Sequence, residues 1–227
     1  MKRLLPALSL VVLSACTAEP PPPPEPGDPA VVDSRHYSVI FENDVVRLLK
    51  INYEPGESSV LHRHPDSVVV ILSGGTTRFT NPDGTTQDVE LPTDSALYLP
   101  AAVHNSQNIG ATRTEAVLVE LKSTAAPTAM LPAERPGMAM TPLADGPRAA
   151  AFRITADASF GEPAGTTHDY DQVVVALAPA EVALTVDGTL VKSTWARGDA
   201  QFIGRGVAHE SRNASGAPVD FVLVAIR

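Results

Sequence analysis

Residues 56–75 read GESSVLHRHPDSVVVILSGG, and residues 161–180 read GEPAGTTHDYDQVVVALAPA. The two stretches align when the sequence is compared with itself at an offset of 105 residues. Both begin with Gly-Glu, and both contain three consecutive valines followed two residues later by a leucine. Self-similarity at a fixed offset indicates repeated structural units, so the sequence predicts two copies of one domain.

The composition of each copy favours short β-strands. Stretches of β-branched and aromatic residues alternate with Pro-Gly, Gly-Gly and Asp-Gly turns, and no longer window has helical periodicity with caps at both ends. In the first copy the predicted strands are Val45–Tyr53, Val68–Leu72, Thr76–Thr80, Ala96–Leu99 and Ala116–Leu121. Closely spaced strands with turns between them are typical of antiparallel sandwiches and barrels. We therefore expect an all-β protein.

Histidines are the residues most suited to chemistry. His62 and His64 lie two positions apart, and on a strand such side chains project to the same face. His104 follows a later predicted strand, so all three imidazoles can converge inside a barrel. Three nitrogen ligands would hold a divalent metal and leave positions open for water or substrate. His36 lies outside any motif and is assigned to the surface.

These spacings resemble the two motifs of the cupin superfamily. The first motif is matched by Gly56, His62, His64 and Gly75, and the second is approximated by Thr93, Asp94, Pro100, His104 and Asn108. The second copy retains Gly198, Asp199, Gly206, His209 and Asn213. The resemblance covers roughly residues 35–122 and 147–227 and implies two tandem cupin-type barrels, each a double-stranded β-helix or jelly roll. Cupins often dimerise, so pairing of the barrels within the chain and homodimerisation both remain open.

The first copy departs from the usual cupin pattern at the glutamate ligand. Val68 and Val69 stand where that glutamate is expected, and Asp66 follows a proline that favours a turn. All-histidine sites are known in cupins that resemble cysteine dioxygenase, which hold ferrous iron. Zinc is also chemically reasonable, with manganese and nickel as further candidates. An uncompensated divalent charge favours an anionic ligand. Arg78 and Asn108 are additional candidates for ligand contact.

The second copy has lost part of the histidine pattern. At the 105-residue offset, His62 and His64 align with Thr167 and Asp169, which are not imidazoles. A shift of one residue places His168 on His64 and Gln172 on the usual glutamate position. His168 and His209 then form a weaker second metal site, with Gln172 near the ligand. The alternative is a purely structural barrel whose histidines form hydrogen bonds with polar neighbours.

The N-terminus has the pattern of a bacterial lipoprotein signal. Lys2 and Arg3 precede an apolar stretch that is too short to span a membrane and that ends in Leu-Ser-Ala-Cys16, which resembles a lipobox. Cys16 is the single cysteine of the chain, so intramolecular disulfides are excluded. Acylation of Cys16 would anchor an exported protein to a bacterial membrane, facing the periplasm or the exterior. The proline-rich residues that follow are typical of a spacer.

The net charge and the positions of the proline-rich segments complete the predicted organisation. The 17 basic and 26 acidic residues give a formal net charge of −9, which disfavours nucleic-acid binding. The predicted parts are a signal peptide over 1–15, lipidated Cys16 and linker over 16–31, barrel 1 over 32–124, an interdomain linker over 125–146, and barrel 2 over 147–227.

Three functions are compatible with this sequence. The first is a metal-dependent dioxygenase, isomerase or hydrolase that acts on a small, anionic molecule. The second is a non-catalytic module that binds a metal or small ligand, and the third is a structural or partner-binding lipoprotein. Open metal positions favour the first function, whereas the eroded second copy and the lipid anchor favour the second. The fold cannot decide between them, because one fold hosts many chemistries.

Overall fold

The computed structural model describes residues 26–122 and 131–227, and these are folded almost entirely into β-strands. In those ranges the only helix is α1 (Pro29–Val32), a single turn capped by Asp28. No helix in the described part of the chain is long and apolar enough to cross a membrane. The signal segment, Cys16 and most of the proline-rich stretch lie outside the described residues.

The first barrel is built from two antiparallel sheets that face each other. Its strands are β1 (Tyr37–Glu42), β2 (Val46–Tyr53), β3 (His62–His64), β4 (Ser67–Ser73), β5 (Gly75–Thr80), β6 (Thr86–Leu91), β7 (Ser95–Leu99), β8 (Ala102–Asn108) and β9 (Thr114–Leu121). One sheet has the order β1-β2-β9-β4-β7 and the other β3-β8-β5-β6. All five strands predicted in this copy are present, with bounds that differ by two residues or fewer.

The second barrel repeats the same topology. Its strands are β10 (Met138–Asp145), β11 (Ala149–Ala156), β12 (Gly161–Thr166), β13 (Asp171–Ala176), β14 (Ala180–Val186), β15 (Thr189–Trp195), β16 (Ala200–Ile203), β17 (His209–Asn213) and β18 (Val219–Ile226). The sheet orders are β10-β11-β18-β13-β16 and β12-β17-β14-β15, so β10 corresponds to β1 and each later strand follows in step. The predicted all-β fold of two tandem barrels is confirmed.

The five-stranded sheets of the two barrels pack on each other through an apolar cluster. On β4, Val68, Val70 and Leu72 belong to this cluster, and the equivalent residues of β13 belong to it from the other side. Val69 and Ile71 alternate with them and face the interior of barrel 1. Both faces of β4 are therefore covered, which explains why its sequence is continuously hydrophobic instead of alternating.

The predicted interdomain linker is partly wrong. Residues 123–130 lie outside the described residues, but Met138–Asp145, within the predicted linker, form strand β10. This strand lies at the edge of its sheet, and its pairing with β11 shifts register after Pro142. Proline is tolerated on an edge strand, so the prolines of this region did not exclude a strand.

The segment before β1 is anchored on barrel 1. Gly27 forms a parallel bridge with His62, and its carbonyl accepts the backbone N–H of Arg63 at 3.0 Å. Asp28 pairs with Arg47, whose Nε also lies 2.6 Å from a carboxylate oxygen of the buried Glu120. The chain that precedes the barrel is thereby fixed against β3, the strand that carries the first two candidate ligands.

The surface assignment of His36 is wrong. Its side chain is 2% exposed and stacks on the ring of Tyr53 with centroids 4.3 Å apart. Its Nδ1 lies 2.8 Å from a carboxylate oxygen of Asp33, and its Nε2 lies 3.4 Å from one of Glu57. Asp33 at Nδ1 and the guanidinium of Arg35, 3.1 Å from Nε2, thus satisfy a histidine that sequence position alone could not place.

Candidate metal centre

Strands β3 and β8 bring the three predicted histidines of barrel 1 together. His62 and His64 project to the same side of β3, and His104 lies opposite His62 in the antiparallel pairing with β8. One nitrogen from each ring lies within 4.8 Å of the others, and Nε2 of His64 is 3.4 Å from Nε2 of His104. Nitrogens bound tetrahedrally at 2.0–2.1 Å from zinc are roughly 3.3 Å apart. The geometry fits a shared divalent ion.

Backbone carbonyls orient the two rings on β3. Nδ1 of His62 lies 2.9 Å from the carbonyl oxygen of Val60, and Nδ1 of His64 lies 3.1 Å from that of Pro65. A carbonyl can only accept, so each Nδ1 carries the hydrogen and each Nε2 presents its lone pair to the centre.

The electrostatic environment disfavours protonation of two of the three imidazoles. Burial, together with the neighbouring His64 and His62, lowers the pKa of His104 to about 3. Burial is also the main cause that lowers the pKa of His62. A metal binds only the unprotonated imidazole, so these shifts prepare the site for an ion at neutral pH.

A tyrosine pair that the sequence did not indicate lies beside the three histidines. The hydroxyl of Tyr37 is 3.2 Å from Nε2 of His62, and it accepts a hydrogen bond from the hydroxyl of Tyr53 at 2.8 Å. Burial is the main cause that raises both pKa values, that of Tyr53 to about 12, so the phenols stay protonated. The Tyr37 hydrogen is therefore directed toward the centre and away from Tyr53.

The histidines open into an apolar cavity of about 380 Å³ inside barrel 1. Its wall includes His64, His104 and Val69, so valine contributes a methyl surface at the position where the cupin resemblance implies a glutamate. Phe79 packs edge-on against His104 with centroids 5.0 Å apart. Among the described residues that line the cavity there is no lysine, arginine, aspartate, glutamate or cysteine.

Other candidate residues of the first copy lie away from the centre. Arg78 is paired with Asp88 at 2.7 Å on an exposed part of the sheet and does not line the cavity. Asn108 is buried, but its amide binds backbone groups, donating to the carbonyls of Tyr53 and Thr112. Asp66 accepts hydrogen bonds from the Tyr98 hydroxyl and a loop N–H, as expected for a residue that does not serve as a ligand.

Barrel 2 contains a second cluster with a different composition. His168 and His209 are brought together as the sequence predicted, and Glu162 of β12 joins them. Its two carboxylate oxygens lie 3.4 Å from Nε2 of His168 and 3.4 Å from Nε2 of His209. Ser211 donates to the second oxygen at 2.9 Å. The three ligand atoms lie within 4.8 Å of one another and could hold a metal.

Glu162 was missed as a candidate ligand because its repeat partner has another role. The offset aligns it with Glu57. The carboxylate of Glu57 lies 3.4 Å from His36, outside the three-histidine centre. Burial acts to raise the pKa of Glu162, but the neighbouring imidazoles of His168 and His209 and the charge of Arg135 outweigh it and hold that pKa well below its usual range. The same carboxylate raises the pKa of His209.

An arginine also enters the second cluster. Nη1 of Arg135 binds Glu162, and its Nη2 lies 3.3 Å from Nε2 of His168. Gln172 is buried and lines the interior cavity of barrel 2, which is only about 100 Å³. Gln172 thus lies inside the predicted barrel. The carboxylate of this cluster comes instead from Glu162 on β12.

Comparison with solved structures identifies proteins of the same fold. AerE from Microcystis aeruginosa has a TM-score of 0.63 and 13% identity over 85% of this chain and 97% of its own. A cupin 2 conserved barrel domain protein from Leptotrichia buccalis has a TM-score of 0.54 and 11% identity over 84% and 88%. Salicylate 1,2-dioxygenase from Pseudaminobacter salicylatoxidans has a TM-score of 0.59 and 12% identity over 80% and 71%. No family model and no curated protein sequence matches this chain. At these identities the likeness establishes the fold, and the chemistry must be argued from the site.

Proposed function

Given that both halves of this chain have the cupin fold, we propose that barrel 1 is a divalent-metal centre that binds a small molecule directly on the metal. The convergence of His62, His64 and His104 at metal-binding distances is the observation that carries this proposal. The lowered pKa values of His104 and His62 and the carbonyl contacts that orient His62 and His64 support it.

Iron(II) and zinc are the metals that we propose, with manganese and nickel as alternatives. Imidazole nitrogens suit iron, zinc and nickel, and three protein ligands leave coordination positions open. A bound ion would supply Lewis acidity, and iron would also supply redox chemistry. Three neutral ligands do not compensate the ionic charge, so an anionic donor group on the ligand is favoured.

The cavity indicates what the rest of the ligand is like. Its described lining residues include no cationic side chain, so the metal is the partner for an anionic group. The remaining wall is largely aliphatic and aromatic, which favours an apolar body. We therefore propose a small amphipathic ligand, with one oxygen or sulfur donor on the metal and an apolar part in the barrel.

The residues around the centre have separable roles. His62, His64 and His104 would hold the ion, and the Tyr37 hydroxyl would donate a hydrogen bond to a donor atom of the ligand. The aliphatic wall excludes water from this space.

A binding function without catalysis is the second candidate. The described lining residues include no carboxylate, lysine or cysteine to act as a general base or nucleophile. This observation favours capture of a ligand over its conversion, unless the metal itself supplies the reactive group.

Metal analysis of the purified mature protein tests the centre. We expect one equivalent of metal to be lost from the variant His62→Ala/His64→Ala/His104→Ala. His36→Gln, which changes a buried histidine of the same barrel outside the centre, is the matched control and should retain it. Equal metal contents in the wild type and the triple variant would remove the proposal.

The ligand class can be tested with the cobalt(II)-substituted protein, whose visible spectrum reports binding at the metal. We expect hexanoate to bind at least ten-fold more tightly than acetate, because each buried methylene contributes about 0.8 kcal/mol. Hexylamine should not change the spectrum in the same way. Equal affinities for acetate and hexanoate would contradict an apolar ligand body.

We also propose that the protein is exported and anchored to a bacterial membrane through acylated Cys16, as the lipobox-like sequence suggests. The variant Cys16→Ala should lose incorporation of labelled palmitate and leave the membrane fraction. Unchanged membrane association of this variant would exclude the anchor.

A further inference from the structure

Residues 131–135 lie at the mouth of barrel 2. Pro132 and Arg135 line the small interior cavity, and the same two residues also line an open groove on the outer side. The backbone of Arg135 is held by a bridge to Met138 at the start of β10. This short segment therefore separates the inside of the barrel from solvent, and Arg135 is its inward-reaching charged residue.

The guanidinium of Arg135 lies at the donor atoms of the second cluster. It binds the Glu162 oxygen that faces His168, and it contacts both ring nitrogens of His168 at 3.3 and 3.4 Å. A guanidinium has only donors and a permanent positive charge. It therefore lies against two of the three candidate ligand residues, beside the position where a cation would be bound.

The donors around this position suit a metal better than they suit an arginine alone. Two imidazoles and one carboxylate are the ligand set of many metal sites with open positions, including those of iron(II). Nε2 of His209 is buried and makes no hydrogen bond of normal geometry, its nearest carboxylate oxygen on Glu162 lying 3.4 Å away, while the Val207 carbonyl orients the ring at Nδ1. A buried polar atom without a hydrogen bond is costly, and a metal ion held between these atoms would satisfy it.

We propose that Glu162, His168 and His209 form a second divalent-metal site. Arg135 of the same chain competes with the metal ion for this site. The guanidinium neutralises Glu162 when no metal is present. A divalent ion must displace it, because the two cations would otherwise repel each other in a partly buried space. Metal affinity in barrel 2 is thus set by how readily the segment at its mouth withdraws Arg135.

The test uses the full mature chain with His62→Ala/His104→Ala, so that barrel 1 cannot contribute. Cobalt(II) is titrated and bound metal is counted by elemental analysis. In this background, Arg135→Gln should tighten cobalt binding at least ten-fold. Arg135→Met, which keeps an apolar stem, should have the same effect. Arg153→Gln is the control, because Arg153 is also a partly exposed arginine of barrel 2 but pairs with Asp220 away from the cluster.

Adding Glu162→Gln to the Arg135→Gln protein should abolish the gained binding. A second readout needs no change at the arginine: saturation with zinc should shift the side-chain NMR resonance of Arg135 Nε–H in the background protein. Unchanged affinity in both Arg135 variants, or an unshifted resonance at full zinc occupancy, would overturn the competition. Absence of stoichiometric metal from every Arg135 variant would overturn the site. Because barrel 1 is inactivated throughout, these results are independent of the proposed function.

Discussion

The two barrels share a topology, but their candidate centres differ in the charged side chains that they contain. Barrel 1 gathers three neutral imidazoles beside a roomy apolar cavity whose described lining carries no ionic side chain. Barrel 2 gathers two imidazoles, a carboxylate and a guanidinium beside a much smaller cavity. The cupin framework therefore accepts very different charge distributions at equivalent positions.

What the barrels have kept is the structure around the centres. Asn108 and Asn213 are both buried, and each donates to one carbonyl in its own loop and to one at the end of a distant strand, β2 or β11. Each also accepts a backbone N–H two residues later. The apolar cluster between the barrels likewise uses equivalent residues of β4 and β13. Framework positions are thus constrained by backbone and packing, whereas the centres are free to diverge.

The largest expected effect comes from giving barrel 1 the charge that it lacks. Val69→Glu places a carboxylate in the apolar cavity beside His64, with no cationic side chain among its described lining residues. We expect the metal-free variant to lose about 3–5 kcal/mol of unfolding free energy, because an unpaired buried charge is strongly unfavourable. Zinc should restore much of the loss. Chemical denaturation with and without zinc measures both quantities, and an unchanged stability without metal would show that the cavity is already solvated.

A smaller effect, nearly equal in the two barrels, is expected at the two asparagines that the repeat places at equivalent positions. Asn108→Ala and Asn213→Ala should each cost about 2–3 kcal/mol, since several backbone groups lose the buried amide that is their hydrogen-bond partner. Thermal and urea unfolding provide the comparison. A large loss in one barrel with none in the other would mean that the shared hydrogen bonds do not carry equal weight.

The smallest predicted effect is a difference in pH dependence. The pKa of His104 is lowered to about 3, so its contribution to the stability of the metal-free protein is present above the unfolded value near 6.5. It is lost as pH falls toward 3 and costs about 2 kcal/mol at pH 5. The pKa of His209 is raised, so its contribution is present below 6.5 and is lost as pH rises through its folded value. Urea unfolding from pH 5 to pH 8 gives the unfolding free energy as a function of pH. The slope of that dependence should change in opposite directions in His104→Gln and His209→Gln.

The framework and the first centre could be predicted from sequence because their signals are local. The spacing of His62 and His64 fixes a common face on one strand, and the repeat fixes the number of barrels. The third histidine followed from a motif, and the pairing of β3 with β8 brings it beside the other two.

The missed residues act through contacts between distant segments. Tyr37 meets His62 from another strand, and Arg135 reaches Glu162 from a stretch predicted to be only linker. Neither pair has a characteristic spacing, and a repeat offset even aligned Glu162 with a residue of different function. Likewise, His36 is buried by two carboxylates that only the folded loops bring together.

The docking of Gly27 on β3 has a mechanical consequence. Ten residues lie between Cys16 and Gly27, so the tether between the proposed acylation site and the barrel spans eleven Cα–Cα steps and reaches at most roughly 40 Å. A pulling force on that tether would act first on the bridge between Gly27 and His62 and on the ion pair of Asp28 with Arg47. The point of tension coincides with the strand that carries two candidate ligands, so under the proposed anchoring a pull at Cys16 would be transmitted to the geometry of barrel 1 before it reached barrel 2.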